Sequence, residues 1–365
     1  MKKHIYYFTI LILSVFVLNS CNKNDIPDPF PSELVKGCYV LNFGNYGQGG
    51  ASISKFDYEK AEMTNFYYQE QNSGNELLSN LQYACEHDDS VFLVGNVVDQ
   101  LITVNPLFQQ SQNGVSDGLN NPRFCIGSGD YLYISCLGAN PDWTDMPDSY
   151  IAKYNIVTQT VEKTIPMPGG PEGLAVSKGK LYAALNYVNQ VGVLDLTDET
   201  VSYITTPAVS SYFLKDKNDN LYFTMLSTYA DFSEETGMGY INTTSDEVET
   251  FYTLDNVSTG YGTIMQADKF FTKIYIVTSA YDANWNLTGA VVEFDVSSKM
   301  FNETPVISDV AGISGLAVNP VNNDIYVLSA QSATGAGTMG IYSADGEFVN
   351  DFSVGAFPVG AFFIE

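Results

Sequence analysis

From residue 34 to the C-terminus the chain is a series of short apolar runs of β length, and one tetrad returns throughout. It consists of a variable residue, an apolar residue, an aromatic, then an apolar or small residue. It reads SVFL around Phe92, YLYI around Tyr133, KLYA around Tyr182, NLYF around Tyr222, KIYI around Tyr275 and DIYV around Tyr326, with GCYV around Tyr39 as a degraded copy. Successive aromatics lie 40 to 53 residues apart. A second run follows each anchor (ISKFD, LITVN, IAKYN, VGVLD, GYINT, VVEFD, MGIYS), and most of these end in Asp or Asn, which suit a turn. A third run precedes most anchors (PRFCIG, PEGLAV, YGTIMQ, ISGLAV), and a further β-prone run such as VEKTIPM or VSYITTP completes the unit. Helical periodicity is absent, so each unit predicts four strands.

Seven such units predict an all-β fold, a seven-bladed β-propeller with four-stranded blades. An open solenoid is the alternative, and the chain ends argue against it. PVGAFFI (358–364) matches the run that opens a unit, and unit 1 lacks that run before Tyr39. The C-terminal strand is therefore expected to complete blade 1 and close the ring without an exposed edge. The segment GPEGLAVSKGKLYAALNYVNQVGVLDLTDETV (170–201) resembles the repeat of the YVTN/YncE-like propellers, and the resemblance extends more weakly over 34–365. Repeats of this kind specify fold better than function.

The first 20 residues follow a different pattern. Lys2 and Lys3 precede an apolar run over 5–18 that is too short for a stable membrane span, and Leu18-Asn19-Ser20-Cys21 resembles a bacterial lipobox. The expected organisation is a lipoprotein signal peptide over 1–20, lipidation at Cys21, an acidic, Pro-rich tether over 21–33 and the propeller over 34–365. Lys23 and Asp25 just after the lipid site partly resemble the surface-export signal of Bacteroidetes lipoproteins. The expected address is the outer membrane, held by the lipid anchor only and facing the exterior.

Charge narrows the function classes. The chain has 16 Lys+Arg against 42 Asp+Glu, a net charge of −26. A nucleic-acid surface runs on counterion release by basic residues and is excluded, and adhesion to anionic lipid is disfavoured. Arg123 is the sole arginine. It opens the inner strand of blade 3, in the slot that Glu172 occupies in blade 4, near the channel mouth. There it either binds a carboxylate or phosphate bidentately or pairs with an acid.

In an up-and-down blade the second-to-third-strand loops and the interblade links share one end. The long loops 137–149, 227–237 and 279–289 fall there, carrying both tryptophans, Trp143 and Trp285, together with Tyr229, Phe232 and Tyr281. Tyr46 and Tyr187 fall in shorter loops at the same end, and Tyr261 and Phe357 in links. Large amphipathic rings on loops held by a rigid ring predict a recognition surface. Asp142, Asp145, Asp148, Asp231, Glu234, Glu235 and Asp282 stud the same loops. An acidic, aromatic end favours a large neutral or zwitterionic ligand, or a basic patch on a partner.

Little catalytic chemistry is expected. His87 falls in a turn at the opposite end, and Cys38, Cys85, Cys125 and Cys136 are expected as buried free thiols on inner strands. DANWNLTGAVVE (282–293) approximates a calcium loop but has Leu287 where Gly is required. No catalytic residue, metal site or cofactor is assigned. The channel openings read as Gly-, Ala- and aliphatic-rich, with Glu172 the exception.

A lipidated, acidic, YncE-like propeller on such a tether also resembles the vitamin B12-capturing surface lipoproteins of Bacteroidetes. That resemblance implies cobalamin as a transported ligand and a TonB-dependent outer-membrane transporter as partner. Trp143, Tyr187, Tyr229, Tyr281 and Trp285 would then contact the corrin, with Tyr46 and Tyr261 beside them and Arg123 near the nucleotide phosphate. A glycan-binding, adhesive or structural propeller, or a metal-dependent lactonase, fits the same fold.

Overall fold

Each repeat unit forms one antiparallel sheet, and seven sheets form a ring in the computed structural model, which describes residues 37–364 apart from 59, 78, 79, 111, 228–234, 261 and 333. The expected signal segment, Cys21 and the tether lie outside the described residues, as do Tyr229, Asp231, Phe232, Glu234 and Tyr261. The strands nearest the axis are Asn80–His87, Pro122–Ser128, Pro171–Ser177, Phe213–Lys215, Met265–Ala267, Ile313–Val318 and Pro358–Ile364.

The recurring aromatic explains why the units stack. Tyr39, Phe92, Tyr133, Tyr182, Tyr222, Tyr275 and Tyr326 are all between 0 and 4% exposed. Each lies on the second strand of its sheet and packs into the next blade. Phe92 meets Cys125, Leu132 and Tyr154 of blade 3, Tyr182 meets Phe213 and Phe223 of blade 5, and Tyr326 meets Cys38, Val40 and Phe56 of blade 1. Side chains alternate between the faces of a strand, so the apolar residues beside the anchor fill the opposite interface. Both faces of every blade are covered, which is why the tetrad is apolar nearly throughout rather than alternating with polar residues.

The ring closes as the chain ends imply. Pro358–Ile364 pairs antiparallel with Gly37–Asn42, from Gly37↔Ile364 to Asn42↔Pro358, and becomes the inner strand of blade 1.

Several expectations need correction. Blade 2 has three strands, with the isolated bridges Leu101↔Val115 and Val104↔Gln110 along its outer edge in place of a fourth. A short helix, Tyr67–Gln71, interrupts the otherwise all-β chain in the blade 1–2 link and buries Tyr67 and Tyr68. In blade 6 the expected loop 279–289 is mostly strand, because Lys273–Tyr281 and Leu287–Asp295 extend into a long hairpin. Cys85 and Cys125 lie on inner strands, but Cys38 and Cys136 lie on second strands, displaced because blade 1 takes its inner strand from the C-terminus and Cys136 follows the blade 3 anchor. All four are free thiols. His87 ends the inner strand of blade 2 and contacts the Gly129 carbonyl at 2.8 Å.

Candidate functional site

The loop end of the channel holds a cavity of about 510 Å³. Its side wall is set by an irregularity repeated in the inner strands. Pairing slips at Leu81/Tyr83 in blade 2, at Pro122/Phe124 in blade 3 and at Pro171/Leu174 in blade 4. A bulge leaves an extra residue unpaired and re-aims its side chain. The residues so released are Gln82, Arg123 and Glu172, and all three line the cavity. The channel opening is therefore more polar than the expected Gly-, Ala- and aliphatic-rich ring, because strict alternation misplaces a bulged residue.

Arg123 is 8% exposed. Its Nε donates to both Glu172 oxygens, at 2.9 and 3.1 Å, and one terminal nitrogen donates to Gln82 Oε1 at 3.1 Å. Of the two readings of Arg123, the structure supports pairing with an acid. Nε and one terminal nitrogen of the guanidinium are thus engaged within the protein.

Three rings from three blades form the floor. Tyr83 and Phe124 stack at 3.6 Å, and Tyr212 meets Phe124 edge-on at 6.0 Å. At the corresponding position blades 4, 7 and 1 carry Gly173, Gly315 and Gly360. A Cβ on Gly173 would sit 2.5 Å from the Ser211 carbonyl. Gly173, between Phe124 and Tyr212 in blade order, thus lets the backbone leading into the next inner strand approach closely. Burial raises both tyrosine hydroxyls above the usual phenol range, Tyr83 strongly, so both stay neutral. Below this floor lies a second cavity of about 520 Å³, lined by Cys85, Leu174, Phe213 and Phe362 among others. The rings divide the channel in two.

Trp143 and Tyr187 form the outer wall, with ring centroids 6.4 Å apart. Tyr187 lies over Gly170, where a Cβ would come within 2.4 Å of its ring. The loop carrying Trp143 is pinned by the fully buried Met146 and by Asp142, whose carboxylate accepts the amides of Thr144 and Met146, each at 3.0 Å. These amides, Thr144 foremost, hold the Asp142 carboxyl down at about 2. A depressed carboxylate supports the fold fully above the ordinary aspartate range and loses that support as pH falls through its own value. In a Trp285→Phe variant, Trp143 emission should stay constant from pH 7 to about pH 4 and shift as pH falls through about 2. Asp142→Ala should remove that transition, and a transition that persists in Asp142→Ala would refute the assignment.

Of the candidate residues, the structure brings together Trp143, Tyr187 and Arg123. Tyr281 and Trp285 pair with each other at 6.1 Å on the blade 6 hairpin and do not line the cavity. Tyr46 is exposed, stacks on Phe43 and also lies outside it. Gln82, Tyr83, Phe124, Asn186, Ser211, Tyr212 and Thr263 line the cavity without having been singled out in the sequence. The calcium-like segment holds no ion-binding loop: Asp282 accepts bonds from its own turn, and Glu293 pairs with Lys273 at 2.9 Å.

A family model described as "Domain of unknown function (DUF5074)" matches residues 36–364. No curated protein matches the chain. Among solved structures, the chain is similar to a quinonprotein alcohol dehydrogenase-like protein of Bacteroides thetaiotaomicron, with TM-score 0.67 and 14% identity over 90% of this chain and 78% of that one. It is also similar to two proteins described as putative 6-phosphogluconolactonases. The one from Bacteroides uniformis has TM-score 0.63 and 13% identity over 90% of this chain and 100% of that chain. The one from Bacteroides fragilis has TM-score 0.63 and 11% identity over 92% and 100%. At such identities the likeness establishes the propeller fold alone.

Proposed function

The chain belongs to the DUF5074 family, and we propose that it is a binding propeller that captures an overall neutral, ring-bearing small-molecule nutrient at its channel mouth, with cobalamin the specific candidate. One observation carries this reading. Among the described residues, the charged side chains lining the cavity, Arg123 and Glu172, neutralise each other, and the remaining polar lining is amide and hydroxyl. Such a lining offers donors and acceptors without net charge, beside aromatic faces. Cobalamin is neutral overall and rich in amides. Its corrin exceeds the cavity, so an arm enters while the ring rests against Trp143 and Tyr187.

The proposed setting is the outer face of the outer membrane, with the lipid on Cys21 as anchor and a TonB-dependent transporter as recipient. Chain direction supports it. Gly37, where the preceding segment attaches, pairs with Ile364 at the end of the ring opposite Val359 and the cavity. A tether leaving there points the cavity away from the membrane.

Calorimetry with cyanocobalamin tests the ligand. Saturable heat at tens of micromolar is expected, weakened at least about tenfold by Trp143→Ala and by Tyr187→Ala, since aromatic anchors that a ligand covers dominate binding energy. No heat in that range overturns cobalamin. A glycan is the second reading, favoured by the 59% exposure of Trp143. Quenching of Trp143 by oligosaccharides, with no cyanocobalamin heat, would replace the first reading with it. A lactonase-type site needs several acids converging on the channel; among the described residues the lining supplies Glu172, already paired with Arg123.

A further inference from the structure

The channel site leaves one aromatic pair without a role. Tyr281 and Trp285 stand at the tip of the blade 6 hairpin, whose two strands pair without interruption from Lys273↔Asp295 to Tyr281↔Leu287. A neighbouring strand, Ile307–Ala311, braces the hairpin through Thr288↔Ala311 and Gly289↔Val310. The turn itself is locked. Asp282 N–H donates to the Asn286 carbonyl and Trp285 N–H to the Asp282 carbonyl, both at 3.0 Å. The Asp282 carboxylate accepts the amides of Asn284 and Asn286 at 2.8 and 2.9 Å and the Asn286 side-chain amide at 3.0 Å.

On this rigid support the large side chains face solvent: Trp285 is 81% exposed and Tyr281 60%. Trp285 also holds φ at 63°, a left-handed conformation that is unfavourable for a bulky side chain and here is not offset by burial. The arrangement repeats that of the channel wall. Trp143 has φ 61°, its turn is capped by Asp142, and it meets Tyr187 at 6.4 Å and 57°, against 6.1 Å and 52° for Trp285 and Tyr281.

We propose that Tyr281 and Trp285 form a second ligand platform, separate from the channel, that stacks the apolar face of a pyranose ring. Its size and chemistry both favour this occupant. Two rings on a hairpin tip fall far short of the ~800 Å² per partner that a stable protein interface buries, but they match one or two sugar rings. Residues 282–286 around them are exposed, and Asn284 and Asn286 bring amide oxygens that accept bonds from sugar hydroxyls. Rigid Trp and Tyr side chains supply contact area at low entropic cost.

The chain has two tryptophans, so Trp143→Phe leaves Trp285 as the sole indole reporter. Titration of that variant with maltohexaose, cellohexaose and laminarihexaose should give a saturable fluorescence change with at least one of them. Tyr281→Ala in the same background should weaken it about tenfold at unchanged Tm, because the residue is exposed. No saturable change up to about 10 mM, or a change insensitive to Tyr281→Ala, overturns the proposal. So does a saturable response to choline chloride in place of the sugars, which would mark a cation site. Trp143 reports on the channel in the complementary Trp285→Phe variant, so failure here is distinguishable from failure of the channel reading.

Discussion

Deletion of residues 358–365 should leave a chain that does not fold to a stable monomer, with the cooperative thermal transition lost. The strand removed supplies the inner position of blade 1 and its whole ladder with Gly37–Asn42. It also joins other blades: the Val359 carbonyl accepts the Thr263 amide at 2.7 Å, and the Pro358 carbonyl accepts the Ser314 hydroxyl at 2.6 Å. Val359 and Ile364 are buried, Phe362 stacks on Tyr39, and Phe363 packs on Tyr326. Fully burying such side chains contributes about 1.5–3 kcal/mol each, so Val359 and Ile364 account for roughly 3–6 kcal/mol and the partly buried Phe362 and Phe363 add to it, a large share of a typical domain's total stability. Because Ile364 pairs with Gly37, a circular permutant that keeps this strand, with a short turn linking the two and new termini opened between the exposed residues 197 and 198, should retain the transition. A deletion variant that melts like the full chain would show that closure contributes little.

The parts of this fold that sequence reveals are those governed by strict alternation. The seven anchors and the C-terminal match could be aligned because every copy obeys the same two-residue period and the same burial on both faces. The channel site is obscured where that period breaks. A bulge at Gln82, Arg123 and Glu172 shifts the side chains by one position, so alternation assigns them to the wrong face. A signal for the floor was nevertheless present. Aligned copy against copy, the residue two places before each anchor's partner is Tyr83, Phe124, Gly173, Tyr212, Ile264, Gly315 or Gly360, a column mixing the largest and smallest side chains. Such a column marks a place where the units are not equivalent, as at the axis of a ring. Blade 6 misled for the opposite reason: Thr288 and Gly289 read as turn residues, yet the hairpin continues through both. Trp285 and Tyr281 therefore stand beyond the ring instead of over the channel.

The second large effect concerns Arg123 and Glu172. Glu172→Ala should destabilise the protein by about 3–5 kcal/mol, because it removes the carboxylate facing a buried guanidinium, and Arg123→Met should have a smaller effect since Glu172 is the more exposed partner. The double variant Arg123→Met, Glu172→Met should recover most of the loss, as apolar replacements of a buried pair are often neutral. A cycle with additive effects would mean that the two groups do not depend on each other. The same proteins separate stability from recognition. If the neutralised pair serves only to hold blades 3 and 4 together, the double variant regains both stability and ligand affinity. If its outer edges also meet the ligand, stability returns and affinity does not. The proposed function predicts the second outcome, because two methionines remove donors and acceptors that an amide-bearing ligand needs and leave its remaining polar groups facing an apolar wall.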